Sequence, residues 1–489
     1  MNRPLRRMGA VVMLLFAVLL VNVNYLQAFR ADDLRNRPGN SRTILEEYDR
    51  ERGPILVDGR AVADSVATDD QLRYLRRYPS GPLFAHATGY YSYVYGAAGV
   101  ERAENDVLAG NDDRLFVRRL GNLITGEEVQ GGAVSLTLDP AAQQAAAEGL
   151  DGRKGAVVAL DPTTGAILAL VSSPTYDPNA LSSHDGGAIR GAYEQLTADE
   201  DQPLLDRALR ETYPPGSTFK LVTAAAALES GRYDPDSEVP GPAELDLPLT
   251  DVGLPNSDRA QCTPGSDTTT LTNALRRSCN SSFGAVGLDL GADALREQAQ
   301  AFGFGQEDRT VPLTTATSAF PEDPDAPQTA QSAIGQFDVR ATPLQVAMVA
   351  AGIANNGVVM EPYLVDQVQA PDLSVLDRTE PEELSAAVSP EVAAELRAMM
   401  VEVVEEGTGT NGQLDGVTVA GKTGTAQQGE GEPPHAWFTS FAPAGPGETA
   451  RVAVAVVIED GGGEAEISGN RLAAPIAQDV MAAVLGDGG

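Results

Sequence analysis

Tyr213-Pro214-Pro215-Gly216-Ser217-Thr218-Phe219-Lys220 sets a hydroxyl and an amine one helical turn apart. Two prolines and a glycine cannot continue a helix, whereas Leu221 to Ser230 is helical in type and almost wholly apolar. Ser217 is therefore expected at a helix N-terminus, where unpaired N–H groups favour negative charge. Lys220, at i+3, shares its face. In an apolar setting the charged form of a lysine is penalised, so the amine can take the serine proton and activate it for acyl transfer. A capping serine with a snorkelling lysine has the same pattern, so the pair alone does not decide.

Two further clusters carry chemistry. Ser278-Cys279-Asn280 follows the helix-like Leu271 to Arg277, and a hydroxyl and an amide so placed can relay a proton and hold a carbonyl. Gly421-Lys422-Thr423-Gly424-Thr425 closes the strand-like Val417 to Ala420. An edge strand here pairs with an extended peptide and binds its C-terminal carboxylate through Lys422, Thr423 and Thr425, while Gly424 admits a close neighbour. No phosphate-binding G-x-x-x-x-G-K-[ST] loop is present. The lysine count sharpens the reading. Of 35 basic residues only Lys154, Lys220 and Lys422 are lysines. Arginine stays charged in proteins, whereas lysine can shed its proton and act as a base. Two of the three stand in these clusters.

The elements that must position them can be read from the pattern. Val134 to Leu138 is strand-like and Pro140 to Leu150 is an alanine-rich helix. Gly155 to Leu160 and Ala166 to Val171 are apolar strands joined by a turn at Asp161 to Gly165. Val417 to Thr425, Ala436 to Phe441 and Arg451 to Ile458 follow near the C-terminus, the last apolar on both faces as a central strand should be. A helix over Asn470 to Leu485 closes the chain. Strands at the front, strands at the back and a helical block between them predict an α+β fold.

Met8 to Val23 carries no charge and is preceded by Arg3, Arg6 and Arg7. The run is short for a membrane span but extends through the interface to Phe29. The positive flank reads as cytoplasmic. The expected division is a cytoplasmic tail at 1–7, a transmembrane anchor at 8–29, an N-terminal pedestal at 30–150 and a catalytic domain at 151–489. A cleavable signal peptide is the rival, with only a weak site at Phe29-Arg30-Ala31. The net charge of −34 excludes nucleic acid as a partner, because phosphate is repelled. Cys262 and Cys279, the two cysteines, are a candidate disulfide for a domain outside the membrane. Three scattered histidines make no metal site, and the chemistry calls for no cofactor.

Ser217-x-x-Lys220, Ser278-x-Asn280 and Lys422-Thr423-Gly424, in that order, form the motif set of penicillin-binding proteins and serine β-lactamases. The chain resembles class B penicillin-binding proteins of the actinobacterial penicillin-binding protein A type. The likeness extends over essentially the whole chain and includes the anchor, Arg52-Gly53-Pro54-Ile55, Gly155 to Asn179, Ala333 to Gln336, Thr342 to Gln345 and Ala436-Trp437-Phe438. It departs at Asp206, where such enzymes usually carry asparagine. The resemblance implies a dimerisation-like pedestal and a central antiparallel sheet of about five strands flanked by helices. It implies that Ser217, deprotonated by Lys220, attacks the D-Ala–D-Ala bond of a peptidoglycan stem peptide. The backbone N–H groups of Ser217 and Thr425 would form the oxyanion hole, Ser278 would pass the proton on, and Asn280 would hold the donor. Lys422 would favour the carboxylate and lower the pKa of Lys220. The implied partners are stem peptides, β-lactam antibiotics, the cell membrane and proteins of division or elongation, with a leaning toward division.

Rival readings leave marks in the sequence. A class A β-lactamase needs a deacylating E-x-x-x-N, and Thr310 to Ala326 holds Glu322 with no asparagine after it. A D,D-carboxypeptidase differs only in its acceptor, which these motifs do not separate. Intact Ser217, Lys220 and Lys422 argue against a catalytically silent scaffold or a sensor that only binds β-lactams.

Overall fold

Helix α1 (Asn2–Phe29) takes in the arginines as well as the apolar run. Its stretch Arg6–Gln27, 22 residues of mean hydropathy 2.2, is long and apolar enough to cross a membrane. At 1.5 Å per residue it measures about 33 Å, against a hydrocarbon core of roughly 30 Å. The computed structural model describes residues 2–30, 48–70, 72–115, 130–307, 309, 311–429, 431–463 and 467–486. Ala31 of the weak cleavage site and most of the polar stretch that follows lie outside the described residues.

Strands β1 (Ile55–Val57), β2 (Arg60–Ala67), β3 (Tyr74–Arg77) and β4 (Ala133–Leu136) come next. Helix α2 (Pro140–Leu150) leads into β5 (Gly155–Leu160) and β6 (Ile167–Ser173). The helical block contains α3 (Lys220–Glu229), α4 (Leu271–Arg277), α5 (Asn280–Leu290) and α6 (Pro343–Ala354). Then follow β7 (Val365–Gln369), β8 (Val375–Arg378), α7 (Pro390–Glu405), β9 (Ala420–Ala426), β10 (His435–Ala442), β11 (Val452–Ile458) and α8 (Ala474–Gly486).

Several helices start with the same chemistry. Asp139, Thr342 and Ser389 each accept a backbone N–H of the first turn, and each is followed by a proline at the first helical position. The helix expected over Asn470 to Leu485 is divided into Gly469–Leu472 and α8. Pro475 is the reason, since its nitrogen has no proton to bond back into the preceding turn.

The α+β expectation holds. One sheet has five strands in the order β9-β10-β11-β5-β6, and every neighbouring pair is antiparallel. Every residue of β11 is buried, and its alternation sorts two cores. Val452, Val454, Val456 and Ile458 join Ala142, Ala146, Ile476 and Val480 of α2 and α8. Ala453, Ala455 and Val457 join α6, none of whose twelve residues is exposed. Alanines on that face let the helix lie close. Each buried valine contributes about 1.5–3 kcal/mol, so a charge at Val456 would break the layer.

The second sheet has six strands in the order β8-β7-β4-β1-β2-β3. It joins elements far apart in the chain, since β7 and β8 come from beyond residue 360 yet β7 pairs with β4. Beside it, Glu101 is fully buried and accepts Arg52 Nε and Arg76 Nε, both at 2.6 Å, and Tyr78 OH at 3.0 Å. Burial pushes the Glu101 carboxyl up, but Arg76 and Arg52 outweigh it and hold the group below the usual carboxylate range. Arg52 of the Arg52-Gly53-Pro54-Ile55 stretch thus anchors this part of the molecule.

Candidate active site

Ser217 lies in a 3-10 turn, Gly216–Phe219, that runs directly into α3 at Lys220. The expected helical start is therefore one turn tighter than an α-helix. In a 3-10 turn side chains at i and i+3 eclipse, which keeps Ser217 and Lys220 on one face. The turn is set by glycines. Gly216 has φ +53°, and its N–H donates to Gly335 O at 2.9 Å. Gly335 has φ +71°, and a Cβ there would stand 2.2 Å from Gly216 O. Trp437 Nε1 donates to Pro214 O at 3.1 Å and ties the turn to β10.

Ser278 follows α4 in the left-handed conformation, φ 61° and ψ 42°. This ends one helix, and α5 begins two residues later at Asn280. The bend turns Ser278 toward both lysines. Lys422 Nζ donates to Ser278 Oγ at 2.8 Å and to Thr423 O at 2.9 Å. Lys220 Nζ donates to Ser278 O at 2.6 Å, Asn280 Oδ1 at 2.8 Å and Ser278 Oγ at 3.3 Å. Both lysines are fully buried, and neither forms an ion pair among the described residues. Burial first, and the charge of Lys422 second, push the Lys220 pKa well below the ordinary lysine value. Burial lowers that of Lys422 to about 7. A neutral amine that both accepts and donates protons is the state such burial favours.

A cleft of about 250 Å³ is lined by Ser217, Ser278, Thr423, Gly424 and Thr425, so residues from three distant stretches meet. Thr425 is the one exposed residue of β9. Gly424 serves the protein's own packing. A Cβ there would meet Trp437 Cβ at 2.8 Å, Thr218 Cγ2 at 3.0 Å and Pro215 O at 3.2 Å, so its absence seats the Ser217 turn on the strand.

The candidate disulfide is formed, joining Cys262 to Cys279 between Ser278 and Asn280. Asn256, nearly buried, reinforces the link. Its Oδ1 accepts Ser281 N at 3.0 Å, and its Nδ2 donates to Pro242 O and Ala260 O. Asn280 Nδ2 donates to Pro255 O at 3.0 Å. Asp206, the departure from the family pattern, caps the short helix Arg207–Arg210 by accepting Ala208 and Leu209 N–H, and it also accepts the Ser172 hydroxyl. An asparagine oxygen makes the same bonds.

Sequence reasoning missed Thr408, whose hydroxyl lies 2.7 Å from that of Thr423, and Ser468-Gly469-Asn470, which lines the cleft. Glycines flanking Thr408, and a second Ser-x-Asn at 468–470, were the available signals.

Comparison with known proteins matches residues 155–482 to the penicillin binding protein transpeptidase domain. The chain belongs to that family. Within it, residues 52–134 match the penicillin binding protein A dimerisation domain. The chain is 47% identical to the peptidoglycan D,D-transpeptidase PbpA of Mycolicibacterium smegmatis, over 100% of both chains. It is 44% identical to the protein of the same name from Mycobacterium tuberculosis, over 99% of each. Among solved structures, the penicillin G acyl-enzyme complex of M. tuberculosis penicillin-binding protein A superposes with a TM-score of 0.85 at 43% identity, covering 89% of this chain and all of the other. The crystal structure of the same protein gives 0.85 at 44% identity over 90% of this chain and all of that one.

Proposed function

We propose that this chain is a membrane-anchored peptidoglycan D,D-transpeptidase acting through an acyl-enzyme on Ser217. The observation that carries the reading is the convergence of Lys220 and Lys422 on Ser278 in a cleft also lined by Ser217. Lys220, neutral by burial, takes the Ser217 proton as Oγ attacks the carbonyl between the two terminal D-alanines of a stem peptide. Backbone N–H groups of Ser217 and Thr425 hold the oxyanion. Ser278, in contact with both amines, passes the proton to the departing D-Ala nitrogen. An amine of a second stem peptide then attacks the ester and frees Ser217, completing a cross-link.

Lys422, with Thr423 and Thr425, receives the terminal carboxylate. Its hydrogen bond to Ser278 keeps that hydroxyl directed toward the leaving group. Asn280 orients Lys220 with its oxygen and keeps one amide hydrogen for a donor carbonyl. A β-lactam presents the same carbonyl and carboxylate and stays attached to Ser217. With α1 in the membrane and the arginines inside, the cleft faces the cell wall. The portion before about residue 150 acts as a pedestal.

Fluorescent penicillin tests the reading. Covalent label on the wild type and none on Ser217→Ala is the expected result. Label that survives Ser217→Ala would place the nucleophile elsewhere.

A further inference from the structure

We infer that the cavity between His86 and the outer edge of β6 is a binding site for a small, uncharged molecule carrying a primary carboxamide. It lies on the sheet edge opposite β9, so it does not depend on the acyl-transfer reading.

Strand β6 is an edge of its sheet, and α2 runs along it. Asp139 N–H, just before α2, donates to Leu168 O at 2.8 Å. One turn on, the fully buried Gln143 stands opposite Leu170. Its Oε1 accepts Leu170 N–H, and its Nε2 donates to Leu170 O and to Leu83 O, all at 2.9 Å. One carboxamide thus fills one residue of sheet edge and ties it to the segment at 80–86. Four helical residues rise about 6 Å and two strand residues about 6.7 Å, so the next turn brings Ala147 level with Ser172. Ser172 stands opposite Ala156 in the β5–β6 ladder. Bond direction alternates along an antiparallel pair, so its N–H and C=O point outward, as those of Leu170 do. Neither has a partner among the described residues. Alanine at 147 leaves open the space that glutamine fills at 143.

That space is a cavity of about 350 Å³, lined among others by Leu83, His86, Ala147, Ser172 and Ser173. Its size is that of a small-molecule site. His86 supplies what Leu83 O supplies to Gln143. The ring is 9% exposed, and its Nε2 lies 3.0 Å from Pro203 O. A carbonyl only accepts, so Nε2 carries the proton. Burial lowers the His86 pKa and keeps the ring neutral, which leaves Nδ1 an acceptor with no partner among the described residues. A primary carboxamide matches this set. Its oxygen accepts Ser172 N–H, one of its N–H groups donates to Ser172 O, and the other reaches His86 Nδ1. Ser173, 6% exposed, offers a hydroxyl to the rest of the molecule. A long peptide strand does not fit, because Gln143 closes the edge on one side and Pro174, without an N–H, on the other. A carboxylate does not fit either, since no lysine or arginine is among the described lining residues to pair with it. The segment at 80–86 and β6 fall in the two separately matched regions, 52–134 and 155–482, so the bound molecule bridges them.

The test uses the full-length, detergent-solubilised protein and fluorine NMR line broadening with three probes of one shape. These are para-fluorobenzamide, its N-methyl amide and para-fluorobenzoate. The primary amide should bind with a dissociation constant of about 1 mM, as its size allows, and about tenfold more tightly than the other two, the scale of one lost hydrogen bond. Ala147→Gln sets the protein's own carboxamide before Ser172. It should weaken binding of the primary amide about tenfold or more and leave the unfolding temperature unchanged or raised. His86→Gln keeps a donor for Pro203 O and removes the Nδ1 acceptor, and should weaken the primary amide about threefold or more. Equal binding of the three probes, binding of none, undiminished binding of the primary amide in either variant, or a lowered unfolding temperature in Ala147→Gln overturns the inference.

Discussion

Lys220 and Lys422 reach a single hydroxyl, that of Ser278, at 3.3 Å and 2.8 Å. One amine comes from the start of a helix and the other from an edge strand, and neither has a carboxylate partner among the described residues. Two buried like charges so placed are costly, so the pair holds fewer than two protons near neutrality and titrates as a unit. In the proposed reaction that shared deficit would supply the base.

Removing either amine should therefore have different consequences. Lys220→Ala should lower the rate of penicillin acylation by about 10²–10⁴, the range of a lost general base, with the fold intact by circular dichroism. Lys422→Ala should act mainly on recognition, raising the penicillin concentration needed for half-maximal acylation rate. Equal loss of limiting rate in both variants would contradict the division of roles.

The pH profile follows with a defined sign. In the proposed reaction Lys220 works deprotonated, and its pKa lies well below the ordinary value, so acylation by subsaturating penicillin should rise as pH climbs through that pKa. In the same proposal Lys422 works protonated, and burial lowers its pKa to about 7, so the rate should fall again above that point. A bell whose alkaline limb falls near pH 7 and whose maximum lies on the acid side of it is expected from stopped-flow measurement. A rate flat from about pH 6 to 9 would reject the assignment.

The disulfide should matter twice over. Cys262 and Cys279 close a loop of 17 residues, which is expected to contribute about 3 kcal/mol to stability. Cys262→Ser with Cys279→Ser should lower the unfolding temperature. It should also slow acylation, because Ser278 and Asn280 flank the bridge. An unchanged melting temperature and unchanged acylation would show the link to be idle.

Gly335→Ala tests the turn that carries Ser217, the proposed nucleophile. The new methyl needs a left-handed backbone and meets Gly216 O at 2.2 Å. A loss of about 2 kcal/mol or more is expected, with Ser217 displaced and labelling reduced.

Glu101→Gln addresses the other sheet. Two arginines, Arg52 and Arg76, would be left buried beside a neutral amide. A destabilisation of about 3–5 kcal/mol is expected by thermal unfolding. A shift under about 1 kcal/mol would mean that Tyr78 and backbone carbonyls suffice.

Much of the site was readable because its chemistry is local. Ser217 and Lys220 stand one turn apart, and Pro214, Pro215 and Gly216 announce the break before the helix. The unbroken apolar run of Val452 to Ile458 announced a central strand for the same reason. What the sequence could not show is long-range pairing. Nothing in Val365–Gln369 says that it pairs with Ala133–Leu136, because a polar, half-buried strand carries no label for its neighbour. Thr408 escaped notice since its role comes from the Thr423 hydroxyl opposite. Ser278 was chosen for its hydroxyl, but its left-handed backbone, which turns it to the lysines, is a property of the join between two helices.

Burial of Lys220 and Lys422 leaves Lys154 as the one solvent-reachable lysine amine, its side chain 35% exposed beside Asp201. Amine-reactive dyes and surface-coupling reagents should therefore attach to the folded domain at a single lysine and spare the buried pair. A chain that uses arginine almost everywhere else comes with a built-in address for oriented immobilisation.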